Sequence, residues 1–290
     1  MKKILPFLCL AASALTGASA AAEKNIGLQM YSLRTEIDKD FGNIDAIIAA
    51  IAKAGYKYVE TANYADGKLY GMPPGVFAEK LRASGLHALS CHVNRRLPGK
   101  FTPDDLSAAL AWWEQCIADH KAAGMRYIIM PSMPKLTKVE DLRAYCGYLE
   151  KIGEKCNAAG LKFGYHNHAF EFETKLPGNL TMYEYMLQNT DPEKVFFQMD
   201  VYWVVMGRFS PVELFKKYPG RFPVLHIKDH KELGQSGMVG FDAIFNNIAV
   251  SGARHLVVEV EKYTLPPLES VKTSLDYLNN APFVKADYSN

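Results

Sequence analysis

Residues 161–172 read LKFGYHNHAFEF, and the reading of this stretch decides the architecture of the chain. Gly160 closes the helical pattern before it, and a short apolar run begins directly after. A strand over Leu161–His168 carries His166 and His168 on one face and Asn167 on the other, because side chains two apart in a strand point the same way. Glu171 follows three residues later. Two imidazoles and a carboxylate at a strand end fit a solvated turn as well as a binding site, so the rest of the chain has to decide.

The same unit recurs on both sides of it. Short apolar or β-branched runs predict strands over Ile26–Ser32, Tyr56–Thr61, Leu86–His92, Met125–Pro131, Val195–Asp200, Phe222–Asp229 and His255–Glu261. Most begin just after a glycine (Gly55, Gly85, Gly124, Gly160, Gly252), which reads as the left-handed cap of the helix before. Between them, three- and four-residue apolar spacing predicts helices over Ile44–Ala54, Phe77–Ser84, Asp104–Ala123, Lys138–Ala159, Met182–Gln188, Pro211–Tyr218 and Phe241–Ser251. Asp104 and Asp105 after Pro103 add negative charge where a helix N-terminus favours it. Eight β–α alternations over about 270 residues suit a single (β/α)8 TIM barrel of the α/β class. The competing open, doubly wound sheet lacks support, since GLQMYSLRTEID (residues 27–38) stands where a Gly-rich phosphate fingerprint would follow the first strand.

Composition sets outer bounds. The chain has 290 residues, 49% apolar and 22% charged, with a net charge of +2. That balance speaks against a nucleic-acid partner or a membrane-surface partner. Lys2 and Lys3, the apolar run Ile4–Leu15 and Ala18-Ser19-Ala20 read as a cleaved secretory signal over residues 1–20, too short to span a bilayer. The expected barrel domain is then 21–290, exported to the periplasm or beyond. Cys91, Cys116, Cys146 and Cys156 form no metal knuckle and no compact disulfide framework; they read mainly as buried thiols, with one disulfide left open.

Barrel enzymes work at the C-terminal ends of their strands, where the loops converge. Unusual polar residues gather there in this chain. The fifth strand ends in His166-Asn167-His168, and the sixth carries Gln198 and Asp200 on one face. The seventh carries His226 and Lys228, the eighth Glu259 and Glu261. Gln29, Glu60 and His92 end earlier strands. The alternate residues Met199, Leu225, Ile227, Val258 and Val260 are apolar, as the helix-facing side of a barrel strand requires. Singly, an Asp of this kind caps a helix and a His is a bonded core residue. Carboxylates and imidazoles on four consecutive strands make a set that such readings do not explain together.

In these motifs the chain resembles the sugar phosphate isomerase/epimerase family of xylose-isomerase-like TIM barrels. The resemblance runs in order through IGLQMYSLR (26–34), GYKYVE (55–60), YHNHAFEF (165–172), QMDVYWVVMG (198–207), RFPVLHIKDH (221–230) and VVEVE (257–261). It implies a divalent metal held by Glu171, Asp200, His226 and Glu259. Three carboxylates and one imidazole would suit Mn²⁺, Mg²⁺ or Co²⁺, with Zn²⁺ left open. Many relatives place a glycine-flanked acidic residue in the loop after the seventh strand; in GQSGMVGFD (234–242) Gly237 and Gly240 remain, but no acidic residue stands between them. The phosphate in the family name finds no Gly-rich cradle here.

The resemblance implies proton abstraction beside the carbonyl of a sugar or keto-sugar, with the metal stabilising the enediolate that forms. Glu171 and Glu259 are the implied catalytic pair. His92, His166, His168 and Lys228 would bind hydroxyls, Glu60 is a lesser substrate contact, and Trp203, with Tyr202, would offer an aromatic face. An isomerase or epimerase is the leading expectation. A lyase or dehydratase acting by β-elimination on a keto-sugar, keto-inositol or 3-keto-glycoside is the rival, and a non-catalytic sugar-binding barrel the third. Barrels of this kind often pair as homo-oligomers; Trp112-Trp113 fits a subunit contact and a buried helix position equally.

Overall fold

A computed structural model describes residues 23–289; the expected signal over residues 1–20 lies outside the described residues. Eight parallel strands close into a barrel: β1 (Gly27–Gln29), β2 (Tyr58–Thr61), β3 (His87–His92), β4 (Tyr127–Met130), β5 (Lys162–His166), β6 (Val195–Asp200), β7 (Val224–Lys228) and β8 (His255–Glu259). Each pairs with its neighbour in chain order, and β8 returns to β1 through Gly27↔Val257 and Leu28↔Val258. All eight expected strands are present, most of them shorter than the apolar runs suggest.

Strand parity divides the barrel interior. Phe196, Val224 and Val257 share a face with Asp200, His226 and Glu259 further along the same strands. The first three join Tyr58, Tyr127 and Ile129 in a buried apolar cluster, so an apolar plug lies beneath a polar mouth. Gly164 is required on β5 because the Phe196 ring fills the space beside it: an added Cβ would sit 2.4 Å from Cε2 of that ring. The outer faces of the strands, with Leu28, Ile128, Leu225 and Val258 fully buried, pack under the helices.

The helix ends follow the local chemistry. The helix Pro103–Ala122 opens on a capping box, in which the Thr102 hydroxyl accepts from the Asp105 N–H and the Asp105 carboxylate accepts from the Thr102 N–H. The helix Val139–Ala159 closes on Gly160 at φ 84°, a backbone conformation costly for a residue with a Cβ. Three helices were not anticipated. Phe170–Glu173 is a single turn, Val201–Met206 starts at the Asp200 cap, and Pro267–Asn280 completes the eighth β/α unit. The last was masked by Pro266-Pro267, a pair that reads as loop although proline is favoured at the first helical position.

The four cysteines among the described residues are buried and unpaired, and burial pushes the Cys91, Cys146 and Cys156 thiols up to about 12. Trp113 is fully buried and its indole N–H donates to the Tyr148 hydroxyl (2.7 Å), whereas Trp112 packs on the core partly exposed. Among the described residues no helix is long and apolar enough to cross a membrane.

Candidate active site at the barrel mouth

Four consecutive strands each aim one donor at the same point. His166 of β5, Asp200 of β6, His226 of β7 and Glu259 of β8 offer ligand atoms that all lie within 4.8 Å of one another, and all four are buried. Register pairs Asp200 directly with His226, while His166 pairs with Gln198 and Glu259 with Lys228, two residues beyond His226 on β7. Asp200 Oδ1 accepts from the Trp203 N–H (2.9 Å), capping the turn of helix that leaves β6. Among the described residues its Oδ2 has no hydrogen-bond partner, and neither has His226 Nδ1. These two orphaned atoms stand 3.9 Å apart, with Glu259 Oε2 3.5 Å from the same imidazole nitrogen.

A layer of hydrogen bonds beneath the cluster fixes how the imidazoles face. Glu60 is 0% exposed. Its Oε1 accepts from His226 Nε2 (2.6 Å), His92 Nε2 (2.9 Å) and Gln29 Nε2 (2.8 Å); its Oε2 accepts from Ser90 Oγ (2.6 Å) and Gln198 Nε2 (2.8 Å). A carboxylate can only accept, so His226 keeps a proton on Nε2, and Nδ1, facing the cluster, is the nitrogen that would give up its proton and offer a lone pair to a bound cation. Gln198, oriented by its bond to Glu60, presents Oε1 to His92 Nε2 (2.7 Å) and His166 Nδ1 (3.1 Å). His166 is thereby left with Nε2 as its lone-pair donor.

Charge is concentrated on one wall. Lys228 Nζ bridges Glu259 (3.1 Å) and Glu261 (3.0 Å) while only 2% of its side chain is exposed. Burial works against its charge, but Glu259, Asp200 and Glu261 outweigh it and raise the ammonium above its ordinary value. Burial likewise opposes the charge of Glu259, and Lys228 and His226 hold the carboxyl well below the usual range. Burial would depress His226, yet Glu60 and Glu259 raise it to about 10. The point that Nδ1 faces is thus strongly favourable to positive charge. On the facing wall, burial holds His168 down to about 4 and His166 well below its ordinary value, so both are neutral near pH 7.

Glu171 stands apart from the cluster. Strand β5 ends at His166, the chain turns into the short helix, and Glu171 accepts from the Tyr165 hydroxyl (2.6 Å) and the His168 N–H (2.8 Å). The donor that β5 brings to the four-membered cluster is His166, not Glu171. Burial pushes the Glu171 carboxyl from 4.5 up to about 8, against those two hydrogen bonds. Because the folded value is the higher one, the stability it contributes is fully present below 4.5 and is lost as pH rises toward 8, at up to about 1.4 kcal/mol per pH unit. Glu171→Gln holds no titrating proton there. Its unfolding midpoint is expected to gain on wild type between about pH 5 and about pH 8 in urea titrations, and a pH-independent difference would contradict this.

The remaining expected residues fall around one cavity of about 390 Å³. His92, His166, His168, Glu259 and Glu261 line it, together with Tyr31, Tyr64 and Asn94. Trp203 sits behind His168 (ring centroids 5.6 Å) and within 5.8 Å of Lys228 Nζ. Glu60 lies below the cavity, wholly buried, with both oxygens engaged by barrel side chains. Gln198 was visible by its parity with Asp200 but carried no assigned role, and Tyr31, Tyr64 and Asn94 lie past strand ends where periodicity is silent. Asp229, one residue beyond β7, accepts from the His230, Gly234 and Ser236 N–H groups and the Ser236 hydroxyl. The glycine-flanked loop is therefore held by its own carboxylate.

The cluster fits a divalent cation. Two orphaned buried atoms and a focus of negative charge are what such an ion would satisfy, and His166, Asp200, His226 and Glu259 could hold it. Two imidazoles with two carboxylates favour Mn²⁺, Co²⁺ or Zn²⁺ over Mg²⁺, since nitrogen replaces one of the oxygens expected from Glu171.

Comparison with known proteins agrees with this architecture. The xylose isomerase-like TIM barrel family model matches residues 48–281. A crystal structure named a sugar phosphate isomerase/epimerase, from Parabacteroides distasonis, is 36% identical, covers 90% of this chain and 100% of its own, and superposes with a TM-score of 0.84. The IOLI protein, solved with a bound zinc atom, shares the fold at 17% identity and a TM-score of 0.66, over 92% of this chain and 100% of its own. An inosose dehydratase from Geobacillus kaustophilus is 21% identical over 201 residues, which span 64% of this chain and only 61% of that protein. The chain belongs to the xylose isomerase-like TIM barrel family.

Proposed function

We propose that the protein is a divalent-metal-dependent lyase of the dehydratase type. It abstracts the proton beside the carbonyl of a keto-sugar, keto-inositol or 3-keto-glycoside and expels the substituent β to that carbonyl. One observation carries this reading: Glu259 and Glu261, bridged by Lys228, stand on one wall of the cavity, and burial holds the His166 and His168 imidazoles opposite neutral. Epimerisation needs a proton donor on the face opposite the base, and Glu171, the carboxylate expected there, is turned under Tyr165. Elimination needs only one face. The likeness to inosose dehydratases supports the same choice.

His166, Asp200, His226 and Glu259 would hold the cation, which would supply Lewis-acid stabilisation of negative charge developing on the carbonyl oxygen. Glu259 takes the proton from the carbon next to the carbonyl and returns it to the departing oxygen on the same side. Lys228 bridges Glu259 and Glu261 and, with His226, keeps Glu259 ionised. His168, held neutral by burial, and His92 on the same cavity accept from and donate to the ring hydroxyls. Glu60 and Gln198 hold the imidazoles in the tautomers this needs.

A second reading, isomerisation, uses the same wall: Glu259 returns the proton to the neighbouring carbon. The 36% identical structure named an isomerase/epimerase favours it. Manganese-loaded protein given keto-inositol or a 3-keto-glycoside in D₂O separates the two. Release of water or of the aglycone is expected; deuterium uptake without loss of a group would replace elimination by isomerisation. No exchange with either compound would leave a sugar-binding barrel. Removing the cation with a chelator is expected to abolish turnover and to lower the melting temperature, because binding at about 100 times Kd stabilises by roughly 2.7 kcal/mol.

A further inference from the structure

A second cavity, about 290 Å³, opens beside the catalytic one and shares Tyr31 and Ala62 with it. Its other walls mix the side chains of Ile37, Phe41 and Tyr70 with the polar ones of Arg34, Asp38, Lys39 and Asn63. Such a pairing of flat apolar surface with polar rim suits a six-membered ring, whose face is apolar and whose edge is polar.

Two features mark the groove as built. Phe41 and Tyr70 both adopt positive φ, 62° and 47°, a conformation bulky residues avoid and which persists only where the surroundings enforce it. Their rings meet edge to face at 5.6 Å, and the Tyr70 hydroxyl accepts from the Ala62 N–H (3.4 Å) at the boundary between the cavities. Arg34 is equally constrained. It donates to the Tyr31 carbonyl (3.1 Å), the Tyr263 hydroxyl (3.0 Å) and the Glu261 carbonyl (2.7 Å), and its guanidinium lies 4.5 Å from the centroid of the Tyr31 ring. Tyr31 lines both cavities and remains 43% exposed, an aromatic ring offered to a ligand that spans them.

We infer that this groove receives the leaving group, and that the substrate is a keto-glycoside carrying a ring as its aglycone, not a free keto-polyol that loses water alone. The inference rests on the lyase reading above. In the step, Glu259 removes the proton beside the carbonyl and the electron pair of that C–H bond forms a carbon–carbon double bond. The glycosidic C–O bond breaks with its pair, and the aglycone oxygen takes the proton. The products are an unsaturated keto-sugar and a free alcohol or phenol, with no net oxidation.

Affinity measured by calorimetry on manganese-loaded protein tests the groove without requiring turnover. Phenyl β-glucoside and cellobiose are the ring-bearing probes and methyl β-glucoside the reference. At least one ring-bearing probe is expected to bind about tenfold tighter than the reference; phenyl alone would indicate an aryl aglycone, cellobiose alone a sugar. Ile37→Trp, which fills the groove, and Tyr31→Ala, which removes an exposed ring, are each expected to bring the ratio close to one. Equal affinities of all three in wild type, or a ratio that survives both substitutions, would overturn the inference. The 3-keto forms of the same compounds test the chemistry separately. If the affinity ratio holds while none of them is cleaved, the ring subsite stands and the lyase reading falls.

Discussion

Glu259→Gln is expected to lower kcat by about 10³-fold, within the range typical for loss of a positioned proton-transfer group. The amide keeps the shape of the side chain but accepts no proton at neutral pH. Lys228 retains Glu261 at 3.0 Å, and Asp200 remains beside it, so the ammonium is not left unpaired. The fold should therefore survive, and circular dichroism and the urea midpoint of the metal-loaded variant are expected to stay near those of wild type. Cation affinity should fall as well, because one charged donor becomes neutral. Solvent exchange at the carbon beside the carbonyl separates the two effects, since it reads proton abstraction even when product release is slow. Exchange at the wild-type rate in a saturating cation concentration would remove Glu259 from the role of base.

Glu60→Gln is expected to damage stability more than any single change at the mouth itself. Its carboxylate takes five donors from strands β1, β2's neighbour β3, β6 and β7 while wholly shielded from water. An amide in its place turns an NH₂ toward some of those donors. Breaking one partner of a buried charge-assisted network costs about 3–5 kcal/mol. His226 then relieves the conflict by moving its proton to Nδ1, the atom that faces the cluster, and cation affinity is expected to drop about 10–100-fold. Urea unfolding at pH 7 and a manganese titration measure the two consequences independently. Wild-type cation affinity in this variant would show that the carboxylate does not set the imidazole's tautomer.

The residue arrangement explains why Glu171 and His166 exchange places relative to the sequence-based expectation. Both belong to YHNHAFEF, and the resemblance to other barrels favours a carboxylate as the donor from the fifth strand. Local geometry goes the other way: the strand stops at His166, whose parity already points it inward, and the helical turn at residues 170–173 carries Glu171 back beneath Tyr165. Where a strand ends is set by what the following residues can bond to, and here that is decided by Asn167, which donates to the Asp200 carbonyl and accepts from the Asp200 N–H across the gap to β6.

The amino-acid sequence by itself determined the eightfold alternation, the inward placement of Asp200, His226, Lys228 and Glu259, and the gathering of polar side chains at one end of the barrel. These depend on periods of two and of three to four residues and on glycine stops, all of which are local. Only the tertiary structure decided that His166 completes the cluster, that Glu60 supports it from below, and that a second cavity adjoins the first. Those depend on partners 30 to 166 positions apart along the chain, such as Glu60 with Ser90 and with His226. No local pattern records such pairings, because barrel closure is what brings the strands that carry them side by side.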